Sequence, residues 1–186
     1  TVKPGDLRYK DQNGDNVIDS KDRVVIGRWS AKFTGGMNLT LKYKNFTLFA
    51  MLTGQFGGNA IKNDTYNWVY GERKYSDVVL GAWTEDKYKN GESITYPRLT
   101  TQSGDNNFNT SDYWMYSTDR IDLSRVQLTY DFSKSLFGDN ALVKGLQVYV
   151  NGSSLLTIAG ERKQMERNVG SAPQTRSFTI GAKVEF

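Results

Sequence analysis

From Phe33 onward the chain alternates apolar and polar positions. Phe33, Gly35, Met37, Leu39, Leu41 and Tyr43 interleave with Thr34, Gly36, Asn38, Thr40 and Lys42. Past Lys44 and Asn45, Phe46, Leu48, Ala50, Leu52, Gly54 and Phe56 alternate with Thr47, Phe49, Met51, Thr53 and Gln55. Two period-2 runs joined by two turn residues predict a β-hairpin of strands 33–43 and 46–56. A third strand is predicted over 119–131, where Ile121 and Leu123 are followed by Val126, Leu128 and Tyr130; the change of phase at Arg125 predicts a bulge. Leu146, Val148 and Val150 mark a fourth strand over 144–156, and Phe178, Ile180, Ala182, Val184 and Phe186 a fifth over 176–186. The expected fold class is therefore all-β, with long antiparallel strands.

The connections are uneven. Residues 44–45 and roughly 133–144 make short links, whereas 57–118 and 157–175 are long and polar, longer than connections that merely join elements. Short helices are expected within Ile61–Tyr70 and Val78–Lys89. Short turns at one end and long loops at the other, with strands of about 9–11 residues, is the asymmetry of a transmembrane β-barrel. Phe33, Phe56 and Phe178 fall near the long-loop rim, and Tyr43, Phe46, Tyr130 and Phe186 near the short-turn rim, as two aromatic girdles require. A soluble calcium-stabilised β-sandwich that binds glycans shows the same alternation, because one face of each strand is apolar there too.

Composition narrows the chemistry. With no Cys and no His in 186 residues, disulfides, thiol nucleophiles, imidazole bases and Cys/His zinc sites are excluded. The formal net charge is +4, but 24 basic and 20 acidic residues are interspersed, which does not favour a nucleic-acid partner. Apolar runs of 18 residues, the length of a membrane-spanning helix, do not occur.

Asp11, Asn13, Asp15, Val17, Asp19 and Asp22 stand at loop positions 1, 3, 5, 7, 9 and 12, the oxygen-ligand spacing of an EF-hand. A structural Ca²⁺ is the expectation. Gly14 at position 4 and Asn16 at position 6 depart from the pattern, and an Asx-rich turn without an ion is the alternative. Aromatic residues crowd the long loop: Tyr66, Trp68, Tyr70 and Trp83, then Tyr113 and Trp114. Flat rings with a polar edge suit contact with a ligand or a protein lid, and equally the packing of the loop itself. Glu85–Asp86 and Asp119 with Asp122 are carboxylate pairs, but nothing sets two carboxyls across a cleft, and no enzyme is expected. The opposite strand face, including Thr34, Asn38, Thr40, Lys42, Thr47, Gln55, Gln147, Asn151, Thr179, Lys183 and Glu185, is polar, as a barrel lumen requires.

Several segments add a resemblance. The chain closes on Ser177-Phe-Thr-Ile-Gly-Ala-Lys-Val-Glu-Phe186, similar to the signal that outer-membrane proteins present to their assembly machinery, with Gly181, Val184 and Phe186 in the signal positions. The segment Pro4 to Gly27, Tyr96-Pro-Arg-Leu-Thr100, Ser111-Asp-Tyr-Trp114 and the run Ile121 to Tyr130, in that order, resemble the C-terminal part of SusC/RagA-type TonB-dependent transporters of Bacteroidetes. Arg120-Ile-Asp-Leu123 and Ser153-Ser-Leu-Leu156 depart from that pattern, and the last loop lacks the usual Asp-Pro-Glu. The resemblance implies a C-terminal piece of a larger polypeptide, or one of two chains completing a barrel of about 22 strands, with residues 1–32 in an extracellular loop and the plug domain elsewhere. It implies a multi-pass outer-membrane importer of oligosaccharides or peptides. The implied partners are the rest of the transporter, a SusD-like surface lipoprotein, TonB and membrane lipid.

Overall fold

In a computed structural model, the residues described are 2–101, 106–132, 142–166 and 175–186. Seven strands occur among them: β1 (Phe33–Tyr43), β2 (Phe46–Phe56), β3 (Asn59–Ile61), β4 (Met115–Ser117), β5 (Arg120–Asp131), β6 (Gly145–Ala159) and β7 (Ser177–Glu185). β1, β2, β5, β6 and β7, in that order, form one antiparallel sheet, and β3 and β4 form a separate ribbon. The expected link over 133–144 lies mostly outside the described residues, as do positions 167–174 of the last loop. No described helix is long and apolar enough to cross a membrane. The chain divides into two compact units: Thr1–Gly27 with Ala60–Tyr116, and Arg28–Asn59 with Ser117–Phe186.

Register explains the second unit. Because side chains alternate faces, antiparallel partners share a face, and one row runs Leu41, Leu48, Leu128, Val150, Ile180 across all five strands. Another row runs Thr40, Phe49, Gln127, Asn151, Thr179 on the opposite face. The apolar face is open: Phe33 is 64% exposed, Phe178 72% and Ile180 81%. A sandwich would lay a second sheet over these side chains, and the long strands here belong to one sheet. The buried apolar residues among those described, Val69, Ala82, Tyr96, Phe108 and Trp114, all belong to the other unit.

The phase change expected at Arg125 is a register shift at Ser124, which has no partner across either neighbouring strand. Between the same two rungs, β2 steps from Ala50 to Leu52, β5 from Val126 to Leu123, and β6 from Gly152 to Leu156. Each strand outward adds a residue at this height, which fans and bends the sheet. Ser154 absorbs the last addition in a left-handed conformation, φ 55°. β6 runs on to Ala159, past the expected end at 156, and carries this bulge within it.

The regions read as loops contain more structure than periodicity shows. Ile61–Tyr70 is not helical; the Asp64 carboxylate accepts the Tyr66 and Asn67 N–H groups (2.9 and 3.0 Å) and holds a turn there. Val78–Lys89 is broken into a 3₁₀ turn, Asp77–Gly81, and the helix α1 (Glu85–Lys89), which Thr84 caps. A second short helix, α2 (Arg162–Met165), follows β6. Residues 1–27 part from 28–32 and join 60–116 in one compact unit.

Gly181 shows how tightly the polar face is fitted. It pairs with Tyr149, whose phenol ring lies where a Cβ on residue 181 would point. Gly181→Val is expected to cost about 1–3 kcal/mol, the range for overpacking. Adding Tyr149→Ser should recover most of that loss in urea midpoints of the full-length protein; two additive losses would show that the ring and the glycine do not interact.

Candidate functional site

The polar face of the sheet is built from strand residues that bind one another laterally. The Arg125 Nε–H donates to Asn151 Oδ1 (2.9 Å) and a terminal N–H donates to Gln127 Oε1 (2.8 Å), while Gln127 Nε2 donates to Thr129 Oγ1 (3.1 Å). Gln147 donates to Asp131. Nearer the start of β5, Asp122 accepts the Thr157 hydroxyl on Oδ1 (2.6 Å), and Arg120 Nε lies 3.0 Å from Oδ2. Ser124 and Thr53 join their hydroxyls at 2.8 Å. Arg125 is tied to an amide on its own strand and to Asn151 on β6, and Arg120 to a carboxylate on its own strand, so the guanidiniums are pre-oriented on this face.

Two hollows open beside Arg120 and Asp122. One, of about 410 Å³, is floored by β1 and β2 at Thr34, Gly36, Thr53 and Gln55. The other, of about 650 Å³, lies along β5, β6 and α2 and includes Ser124, Thr157, Arg162 and Arg176. Arg120 and Asp122 line both. Thr34 and Gln55 belong to the polar set named above; Arg120, Arg125 and Thr157 do not, and Asp122 stands there only as half of a carboxylate pair. Their signal is the period-2 spacing of Arg120, Asp122 and Ser124 ahead of the bulge, obscured in the sequence because the phase changes at Ser124. Asp119, the supposed partner of Asp122, instead accepts the Gly57 N–H at 2.6 Å.

The Asp-rich loop is closed by its own backbone. Asp11 accepts the Gly14 and Asn16 N–H groups (2.6 and 2.8 Å), Asn13 accepts that of Asp15 (3.0 Å), and Asp15 that of Val17 (2.9 Å). Asp19 accepts from Lys21 N (2.7 Å), and Asp22 from Asp19 N and Gln12 N (2.8 Å each). These backbone donors hold the Asp22 carboxyl below its usual range. Asn16 is left-handed, φ 62°. Among the described residues no three acidic side chains converge as a metal-binding group.

The aromatic residues meet in a core. Trp114 is buried; its ring is 6.0 Å from Phe108, 5.8 Å from Tyr96, 6.1 Å from Trp68 and 4.9 Å from Tyr113. Tyr70 packs on Phe108 at 5.0 Å, and the Arg73 guanidinium lies over the Tyr70 ring, 4.0 Å from its centroid. Trp83 covers Gly5, whose φ of 84° and lack of a Cβ let the ring settle on the backbone. Tyr66 is at the margin, its hydroxyl on Asp77, and Tyr113 is half-exposed, donating to Thr95 O at 3.0 Å. Asn107 is fully buried: it accepts Leu7 N–H (2.7 Å), donates to Asp6 (2.9 Å), and its carbonyl takes the Trp114 indole N–H (2.8 Å). Burial raises Asp6, but the Lys3 N–H, Asn107 and Arg98 outweigh it and hold the carboxyl below the ordinary value. Burial pushes the Tyr96 phenol up to about 12; it donates to Asn67 O (2.7 Å) and accepts from Val69 N (3.1 Å). Of the six aromatic candidates, the structure thus gathers Trp68, Tyr70, Tyr113 and Trp114 around one core and leaves Tyr66 and Trp83 at its edge.

Gly181 and Val184 lie on β7, one edge of the sheet, and Phe186 directly follows it, 69% exposed.

No family profile matches the chain. Curated relatives do. It is 26% identical over 204 residues to TonB-dependent receptor P39 of Formosa agariphila, covering 100% of this chain and 19% of that protein. It is 21% identical over 190 residues to TonB-dependent receptor SusC of Bacteroides thetaiotaomicron, covering 99% and 18%. Among solved structures, the RagAB peptide importer in its open-open state superposes with a TM-score of 0.72 at 26% identity, over 96% of this chain and 20% of that one. The closed-closed state gives 0.64 at 27%, over 82% and 17%. The chain thus spans about a fifth of the length of the curated relatives it matches. These relatives are named as receptors and importers, not as enzymes.

Proposed function

On the premise that this chain belongs with the C-terminal part of the SusC/RagA-type TonB-dependent receptors, we propose that it forms one wall of an outer-membrane importer of oligosaccharides or peptides. The observation that carries the proposal is the open sheet with two unlike faces: an apolar face exposed along each of its five strands, and an opposite face rich in Thr, Asn, Gln and Arg that also holds Phe49, Met51 and Tyr149. Lipid against the first and a hydrated lumen against the second satisfy both, and further strands along β1 and β7 pair the two free edges. β7 with Gly181, Val184 and Phe186 carries the assembly signal. Residues 1–32 and the long loop 57–118 are extracellular, where a SusD-like lipoprotein closes over the barrel. TonB drives transport through the plug.

The experiment uses the full-length transporter. Extracted in detergent, it should travel in native mass spectrometry with a lipoprotein partner, and uptake of a cognate oligosaccharide or peptide should stop when TonB is deleted. A protein that stays folded and monomeric in water without detergent, or uptake that persists without TonB, overturns the reading.

Calcium at Asp11, Asn13, Asp15, Val17, Asp19 and Asp22 is part of the same proposal, with a structural role: the ion takes carboxylate oxygens and the Val17 carbonyl, and pins the loop. Adding Ca²⁺ to chelator-treated full-length protein should slow hydrogen exchange over residues 11–22, and Asp11→Ala should remove that response. Identical exchange with and without Ca²⁺ identifies an ion-free Asx turn.

A further inference from the structure

Arg120 is held from one side only. Its Nε meets Asp122 Oδ2 at 3.0 Å, and the other oxygen of that carboxylate is fixed by the Thr157 hydroxyl at 2.6 Å. The two terminal NH₂ groups of Arg120 have no partner among the described residues, and its side chain is 40% exposed. They stand where the 410 and 650 Å³ hollows meet, volumes that suit a small ligand. The second hollow adds Arg162, paired with Glu166 at 2.7 Å, and Arg176. Among the described lining residues, three arginines against two carboxylates leave one net positive charge. Among the described residues no aromatic ring lines either hollow, and the recognition they offer is polar and charged.

We infer that Arg120 receives a carboxylate of the transported ligand on its two free NH₂ groups, with Asp122 and Thr157 as the positioning pair that aims the guanidinium. A guanidinium anchored through Nε keeps its terminal fork free, and that fork matches a carboxylate bidentately, which a lysine cannot do. Gly36 leaves the floor of the first hollow without a side chain, giving room for the residue or sugar that bears the acid. The inference rests on the polar face being the lumen, as proposed above. The shared chemistry is the carboxylate; its source is a peptide terminus or a uronate.

The test is selectivity in the full-length transporter with its lipoprotein. One probe pair is a pentapeptide of neutral side chains with a free or an amidated C-terminus; the other is an oligogalacturonide as the acid or the methyl ester. The wild type should bind at least one acid at least tenfold more tightly than its neutral counterpart. Arg120→Gln should bring that ratio near one with little change for the neutral probe, and Arg120→Lys should recover only part of it. Asp122→Asn, which leaves the guanidinium in place but unaimed, should lower the ratio several-fold at an unchanged melting temperature. Dependence in the peptide pair alone identifies a peptide terminus, and in the galacturonide pair alone a uronate. Acid and neutral probes binding alike overturn the inference while leaving the importer reading intact. Absence of binding by any probe, together with TonB-independent uptake, overturns both.

Discussion

Leu39→Arg in the full-length transporter should lower the stability of the barrel in lipid by about 2–4 kcal/mol, the cost of an arginine on the lipid face near mid-membrane. That is roughly a 30- to 1,000-fold loss in the folded-to-unfolded ratio, large enough to remove heat-resistant barrel from outer-membrane extracts. Leu39 is in the middle of β1, 44% exposed, opposite Ala50 on the apolar face. Its neighbour Asn38 points the other way, opposite Met51, in the row that leads to Arg125 and Ser153. Asn38→Arg should therefore change stability by less than about 0.5 kcal/mol, as a solvated substitution does. Urea midpoints of the two variants in vesicles make the comparison. Equal losses, or the larger loss at residue 38, would mean that the apolar face does not meet lipid.

That contrast between adjacent residues is legible in the sequence, because a strand has a period of two and the sheet is one layer thick. Where a single side chain decides the face, as at Phe33–Tyr43 and Phe46–Phe56, alternation gives the strand, its ends and its orientation together. Legibility falls where the period breaks. Ser124 and Ser154 are bulge residues, and a bulge resembles either a slip of phase or a turn when only the sequence is visible. The polar cluster at Arg120, Asp122 and Thr157 was obscured for that reason: it lies just to one side of the bulge and depends on the β5–β6 register, with Asp122 opposite Thr157, that the bulge sets. The link between β5 and β6, being mostly outside the described residues, adds nothing to that comparison.

The long connections fail for another reason. Nothing periodic marks 1–27 and 60–116, because short turns, 3₁₀ segments and one five-residue helix bring their apolar groups together without any repeat. Their aromatic density was visible, but its meaning was not: the same rings serve a binding surface or a core, and burial separates the two. Trp114 and Phe108 lie inside, Trp68 and Tyr70 are partly buried against them, and Tyr113 is 44% exposed. The contacts that bind residues 5–9 to 96–107 join groups about a hundred positions apart, as between Leu7 and Asn107, and such contacts leave no local trace.

Trp114→Ala follows from that core and should be the most damaging change within it. The indole is 3% exposed, and its removal leaves a cavity among Tyr96, Phe108 and Trp68, for which about 3–5 kcal/mol is the usual loss. It also deprives the Asn107 carbonyl of its indole donor, and Asn107 is the residue through which Leu7 and Asp6 are held. An unsatisfied buried acceptor adds about 1–3 kcal/mol. Loss of order should therefore spread from Trp114 to the N-terminal segment rather than stay at residue 114. Hydrogen exchange of the full-length protein should show faster exchange in peptides from 1–27 and 60–116, while those from Phe33–Phe56 and Arg120–Ala159 keep their protection, since the strand ladder has its own hydrogen bonds. Trp114→Phe, which keeps a ring but not the N–H, should fall between wild type and alanine. Equal loss of protection in the strands would show one cooperative body, and no loss near Leu7 would show that Asn107 does not transmit the packing of Trp114.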